Sequence, residues 1–468
     1  MEPIATAPLA KMKLHLGKAW RHKGDLDAAL VSLREALAID SDFIDARIEI
    51  ADILLEQGMA INALKEYDTA LLIDPDHPRL RFRSRHLKVV LAKKERESTE
   101  GNLDPDLPDN PEGKVRMGRR KEFSCHRGGW GKAIESLNDL HNSGGVLFDP
   151  FIEDNFAWKH WREGVREPSV LKTMIHEGGF DDLATSEEKG ITPYLEPWVG
   201  FIHNPHNMPS WFHYQESPQS IFEKAIWKRS LPFCRGLFCL SEYQAEWLRS
   251  RVVCPVSILS HPAEFPENQF SMDAFLENPR KRVVQIGWWL RKLSSIYQLP
   301  IPSSNPIGLE KMRLVPHFFD DADRYLKELM EREHKEMGVE IESRFSENTI
   351  EVQHLPNEEY DRLLVENIAF VDLYDSGANN SVVECLSRGT PLLVNPLPSV
   401  VEYLGQDYPL YFSDLEEAAR KALDLGCIRE AHSYIKESPQ RSRIKLESFK
   451  SDFEKSEVYQ SLPLPRSV

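Results

Sequence analysis

Short apolar runs alternate with amphipathic stretches from about residue 121 onward, and this alternation narrows the fold more than any other feature of the chain. "EFSCHR", "GVLFDPFI", "WVGFIH", "GLFCLS", "VSILS", "RVVQIG", "IEVQHL", "IAFVDLY" and "TPLLVNP" have the length and apolar content of buried strands. Between them lie "GKAIESLNDLHN", "QSIFEKAIWKR", "SEYQAEWLRSR" and "DDADRYLKELMEREHKEMG", which read as helices. Strands that alternate with helices form parallel sheets covered by helices on both faces. The runs are numerous enough for two sheets, with a natural break near 270–280 in "PENQFSMDAFLENPRK". The expected halves are therefore 121–275 and 276–468.

The first hundred residues follow a different rule. Gly24 and Gly58, Ala29 and Ala63, Leu33 and Tyr67, Ala36 and Ala70, Leu37 and Leu71, Ile39 and Ile73, and Asp40 and Asp74 are each 34 apart. Small residues recur where two helices approach closely, and large ones fill the space between them. The pattern resembles tetratricopeptide repeats, helix pairs with this period. One unit covers about 10–43 and the next about 44–77. "RLRFRSRHLKVVLAKKERE" then caps the stack and extends the segment to 96, because the last face must be covered. Residues 97–120, rich in Gly and Pro and poor in apolar residues, read as a linker.

Composition excludes several classes. With 468 residues, two or three domains are expected, and the net charge of −16 argues against a general nucleic-acid binder. Cys125, Cys234, Cys239, Cys254, Cys385 and Cys427 form no Cys-x-x-Cys pair, which speaks against a zinc ribbon and a disulfide framework. The start "MEPIATAPLAKMKLHLG" lacks the apolar core of a signal peptide, and no apolar run is long enough to span a membrane. A cytoplasmic location is expected.

Candidate chemistry should lie at the carboxyl ends of strands, beside helix N-termini, where open parallel sheets bind ligands. Four places qualify. In "CHRGGWGKAIESL", Gly128, Gly129 and Gly131 lead into a helix, where the backbone can approach an anion, although a tight turn explains the cluster equally well. In "EPWVGFIHNPHNMPSWFHY", His203 ends an apolar strand and can hydrogen-bond a substrate oxygen; a satisfied structural histidine is the bland alternative. The spacing of His203, His206 and His213 matches no helix face, and with no acidic partner near them a metal is not expected. In "VVQIGWWLRKLSS", Arg291 and Lys292 follow a strand end, which suits a diphosphate, against the plain reading of a solvated basic loop. In "YDSGANNSVVECLSRGTPLLVNP", a strand over 368–374 meets the loop Gly377–Ser381, with Asn379 within it. Asn380 or Ser381 caps a helix over 382–388, and Glu384 lies one turn in, where it can accept from a ribose diol or merely favour the helix dipole. The Asp-x-Asp triplets at Asp104 and at Asp321 are explained by linker and capping roles.

Taken in order, these features resemble the GT-B glycosyltransferases, in particular the large family of retaining, metal-independent sugar transferases, over about 121–430. The resemblance implies two Rossmann-like domains and a nucleoside diphosphate-sugar donor. It makes Gly128 and Gly129 the glycine turn after the first strand, and His203 the active-site histidine. "GLFCLSEYQAEWL" supplies the strand ending in Ser241 and Glu242. Arg291 and Lys292 correspond to the donor-phosphate cations, and Glu384 to the second Glu of the family's Glu-x7-Glu motif, the ribose ligand. "VVEYLG" supplies the later Glu, here Glu402. Ser376 stands where the first Glu belongs and Asp375 is one place away, so the sugar contact departs from the family pattern. His203 and Asp375 are the catalytic candidates, with Gly377, Asn379, Asn380 and Ser381 at the donor.

No metal or other cofactor is implied. The repeats suggest a protein or glycan acceptor, or a docking partner; self-association or packing on the catalytic part are equally open. The alternative to a transferase is a scaffold or binding protein whose GT-B part has lost its chemistry, and a nucleotide-sugar epimerase is a weaker third reading.

Overall fold

The computed structural model describes residues 6–56, 59–75, 77, 80, 84, 107–117, 129–158, 193–315, 322–338, 348–353 and 355–465. The chain divides into two compact units, Met1–Asp104 and Pro105–Val468.

The first unit is all-α, with α1 (Thr6–His22), α2 (Leu26–Ile39), α3 (Ile44–Glu56) and α4 (Ala60–Ile73). The repeated small residues Ala29, Ala36, Ala63 and Ala70 are wholly buried, and Leu33 and Tyr67 lie beside them in one core. Gly17 is required by close approach: a Cβ there would sit 2.6 Å from Leu33 Cγ. Asp25 caps α2 by accepting from Ala28 N. Gly58, and all of the expected capping helix except Leu80 and Ser84, lie outside the described residues.

The second unit holds two Rossmann-like domains, each built on a parallel five-stranded sheet. The first sheet contains β1 (Val115–Met117), β2 (Val146–Asp149), β3 (Trp198–Phe201), β4 (Cys234–Cys239) and β5 (Val256–Ile258), in that spatial order. One face carries Val146, Phe148, Val199, Phe201 and Phe238, and the other Leu147, Trp198, Leu237, Cys239 and Val256, so both are buried. Helix α5 (Trp130–Glu135) covers the first face, and α6 (Glu242–Arg249) covers the second.

The second sheet contains β6 (Arg282–Gln285), β7 (Glu310–Val315), β8 (Thr349–Gln353), β9 (Ile368–Val371) and β10 (Leu392–Val394), with spatial order β10-β9-β6-β7-β8. Its helices include α7 (Ala322–Met337), α8 (Asn357–Glu366), α9 (Asn380–Arg388) and α10 (Pro398–Leu404). The order reverses between β6 and β9. Such a reversal opens a crevice at the carboxyl ends of the two strands.

Several expectations are corrected. Val115–Met117, read as linker, is the edge strand of the first sheet and pairs with Val146–Phe148. The strand β7 was not anticipated. Ala263, Phe270 and Phe275, placed in the front half, pack in the second core. Conversely α11 (Leu446–Lys455) and α12 (Glu457–Ser461), placed in the rear half, return to the first sheet, where Phe449, Phe453 and Val458 complete its core. Gly236 in β4 allows this: a Cβ there would meet Val458 Cγ1 at 2.5 Å. Lys114 Nζ donates to Gln460 O at 2.9 Å, which fixes the same contact. The expected strand at 121–126 and Gly128 lie outside the described residues.

Candidate functional site

The loops after β6 and β9 flank the crevice and are zipped to each other. Lys292 N donates to Asp372 O (2.8 Å), and Tyr374 N donates to Leu290 O (2.9 Å). Gly287 (φ 74°) and Leu290 (φ 55°) both adopt the left-handed conformation in the first of these loops. For leucine this is strained.

Arg291 is buried under this junction. Its Nη2 donates to Asn379 Oδ1 (3.0 Å) and Ser381 Oγ (2.7 Å), its Nη1 to Trp289 O (2.6 Å), and its Nε to Ile286 O (3.3 Å). Burial pulls its pKa down to about 10, which leaves it a cation at neutral pH. The guanidinium was expected to grip phosphate. Here it braces the glycine turn to the start of α9. Lys292 is the more accessible cation, its Nζ 2.8 Å from the buried Asp372 carboxylate. It lines a cavity of about 460 Å³ together with Asp372, Tyr374, Asn395 and Ser413.

The helix α9 starts earlier than predicted. Its cap is Asn379, whose Oδ1 accepts from Ser381 N (3.0 Å) and Val382 N (3.4 Å). Asn380 is the first helical residue, and Gly389 (φ 75°) closes the helix. The cap thus takes up amides that the sequence offered to an anion. Glu384 is buried, with Oε2 accepting from Tyr360 Oη (2.8 Å) and Oε1 3.8 Å from Arg388 Nη2. The carboxylate expected on a ribose is held between α8 and its own helix.

The first domain meets this loop directly. A Cβ on Gly377 would lie 2.9 Å from His203 O, so only glycine lets the two backbones approach this closely. Asp375 Oδ2 accepts from Asn207 N at 2.9 Å, and its Oδ1 from Ser376 N at 2.8 Å. Burial raises the pKa of Asp375, while these amides and the nearby His206 oppose the shift. Farther along, Glu402 of α10 accepts from Glu242 N (2.7 Å) and Tyr243 N (2.9 Å), capping α6 across the same boundary.

His203 follows β3 and is held by the turn after β2. Its Nε2 lies 2.9 Å from Pro150 O. A carbonyl can only accept, so Nε2 carries a proton and donates to it. Trp130 stands edge-on to the imidazole at 4.5 Å, and Phe151 tilts against it at 4.2 Å. Gly129 (φ 76°) precedes Trp130, and a Cβ there would be 3.2 Å from Glu264 N, which accounts for this glycine by packing.

Glu153 was not picked out in the sequence. It is completely buried, and its Oε1 accepts from His203 N (2.7 Å) and Asn204 N (2.8 Å). Its Oε2 is buried without a hydrogen-bond partner. Burial pushes its pKa up to about 7. An acid inside the apolar stretch "FDPFIED" was the only available signal.

The three histidines have separate partners. His206 Nδ1 lies 3.0 Å from Gln244 Oε1, while His213 Nδ1 is 3.0 Å from Glu216 Oε1 and its Nε2 meets Tyr325 Oη. Glu216 is therefore the acidic neighbour that the sequence reading overlooked.

The structure thus joins His203, Asp375 and Gly377 in one place and Arg291, Asn379 and Ser381 in another. Glu384 accepts from Tyr360 and lies close enough to Arg291 to favour its charged form. A tetratricopeptide repeat family model matches residues 21–83. No curated protein matches the chain. Among solved structures the chain is similar to apo OtsA, at 12% identity and TM-score 0.46, over 75% of this chain and 100% of that one. An α,α-trehalose-phosphate synthase (UDP-forming) from Burkholderia vietnamiensis is similar at 13% identity and TM-score 0.41, over 73% and 97%. A mutant O-GlcNAc transferase from Thermobaculum terrenum is similar at 14% identity and TM-score 0.37, over 97% of each chain. Among the described residues no helix is long and apolar enough to cross a membrane.

Proposed function

We propose that the protein is a cytoplasmic glycosyltransferase that moves a hexose from a nucleoside diphosphate-sugar to a protein or glycan acceptor, with the repeats as a docking segment. The observation that supports this best is the meeting of Gly377 and Asp375 from the second domain with His203 and Asn207 from the first, beside the β6/β9 crevice. A donor there has the His203 imidazole on one side. Lys292 and the strained loop after β6 lie on the other. No metal is needed in this reading, because Lys292 offsets the charge of the leaving diphosphate. Domain closure supplies the alignment of acceptor hydroxyl and anomeric carbon.

The test is a thermal-shift and calorimetric panel of UDP- and GDP-sugars on the full chain. The expected result is binding of at least one donor that weakens at least tenfold in Lys292→Ala. Absence of binding across the panel would sink the reading. A non-catalytic scaffold is favoured by one observation: Arg291, Asp375 and Glu384, the expected donor and catalytic side chains, are all engaged within the protein. Release of free nucleoside diphosphate from a bound donor separates the two readings, since a scaffold would hold the donor intact.

A further inference from the structure

Cys234 opens β4, and Cys254 lies just before β5, the adjacent strand. Their Sγ atoms are 3.6 Å apart. Both residues belong to the sheet face formed by Leu237, Cys239 and Val256, and Leu237 N donates to Pro255 O at 3.0 Å, which holds the two chain segments together. Both are free thiols, and a disulfide would require the sulfur atoms to close from 3.6 Å to about 2.05 Å.

The two thiols differ in the way that a two-step oxidation requires. Cys254 is partly exposed and follows the fully exposed Val253, whereas Cys234 is buried. The hydrogen bond from Cys234 lowers the pKa of Cys254, and burial raises that of Cys234. The accessible sulfur is therefore the better thiolate, and the sheltered one is placed to resolve it.

We propose that Cys234 and Cys254 form a reversible oxidation site for hydrogen peroxide, closing a disulfide between the start of β4 and the turn that leads into β5. In the first step the Cys254 thiolate attacks one peroxide oxygen. An S–O bond forms, the O–O bond breaks, and the departing hydroxide takes up a proton as water. In the second step the Cys234 sulfur attacks the sulfenic sulfur, the S–O bond breaks, and a second water leaves. Two thiols and one peroxide thus yield one disulfide and two waters, and a dithiol reductant reverses the change. The ring so closed contains α6, whose N-terminus is capped by Glu402 of the other domain. Oxidation therefore stiffens the wall on which the two domains meet. This inference does not depend on the reading as a sugar transferase.

The experiment uses the full chain, reduced and then freed of reductant. After exposure to hydrogen peroxide, remaining thiols are alkylated and the peptides mapped by mass spectrometry. The expected product is a Cys234–Cys254 cross-linked peptide that vanishes on adding dithiothreitol, together with a rise in Tm of roughly 5 °C in the oxidised protein. In Cys234→Ser, Cys254 should instead accumulate as a sulfenic acid that dimedone traps. Cys254 remaining fully alkylatable in the wild type at peroxide doses that oxidise free cysteine would overturn the proposal. Cross-linking only between separate copies on a non-reducing gel would overturn it as well. The wild-type mapping stands alone if a variant fails to fold.

Discussion

Among the described residues the two sheets of the α/β unit each have five strands, arranged by different rules. In the first sheet the described strands lie side by side in chain order; in the second the order reverses between β6 and β9. Among the described strands the second sheet alone has such a reversal, and the loops after β6 and β9 that flank it carry Lys292 and lead to the Asn379 cap. The first sheet contributes a wall, His203, whose position depends on the buried carboxylate of Glu153 below it. One domain makes space by topology, and the other makes a fixed surface by hydrogen bonding. Substitutions on the two sides should consequently fail in different ways.

The largest effect is expected at the seam. Gly377→Val places a side chain against the His203 carbonyl and should cost roughly 3 kcal/mol of stability. It should also abolish donor binding, and denaturant unfolding with calorimetry would measure both. Unchanged stability would mean that the two domains do not press together at this contact.

Glu153 provides a similarly large effect with a pH signature. Its pKa of about 7 in the folded protein lies above the unfolded value of 4.5, so the folded state holds a proton that the unfolded chain releases. The stability from that proton is complete below about pH 4.5 and is lost as the pH rises through about 7, roughly 3 kcal/mol in all. Glu153→Gln should flatten this decline, as read from urea midpoints at pH 5 and pH 8. Equal slopes in the two proteins would show that the clamp is not the titrating group.

On the crevice side, Arg291→Ala should destabilise by about 2 kcal/mol, because it removes the buried charged hydrogen bonds to Asn379 Oδ1 and Ser381 Oγ. Arg291→Lys should not restore the loss, since an ammonium cannot reproduce the fork of contacts. A pure charge role would predict rescue, so thermal melts of the pair decide between bracing and phosphate binding. The smallest effect is expected for Tyr360→Phe. It removes one hydrogen bond to Glu384 for about 1 kcal/mol. If Glu384 serves a ribose after rearrangement, this variant should bind donor more tightly than the wild type in calorimetry, and weaker binding would refute that role.

The architecture was largely legible because strands buried on both faces appear as apolar runs. The strand β7 escaped because its sequence "EKMRLV" includes Lys311 and Arg313. Both are buried, the first donating to Tyr297 O and Leu299 O and the second to Tyr297 Oη. Long cationic side chains look like surface residues until their carbonyl and hydroxyl partners are seen. The strand β1 escaped because three residues in a Pro/Gly-rich stretch give too little pattern. At the site, the positions of His203 and of the loop before α9 were legible from strand ends and glycine. The partners were not. Glu153 acts on residues fifty positions later, and Arg291 on the cap of a helix in another segment, and no local spacing encodes such contacts.

The packing of Val458 into the space left by Gly236 carries a consequence for biosynthesis. During translation the front sheet emerges with α5 but well before α11 and α12, so Phe148 and Phe238, against which Phe453 packs, wait for that cover while the entire second domain is being made. The rear domain, whose core draws on nearer segments, can mature first and act as a platform on which the earlier-made half is finished.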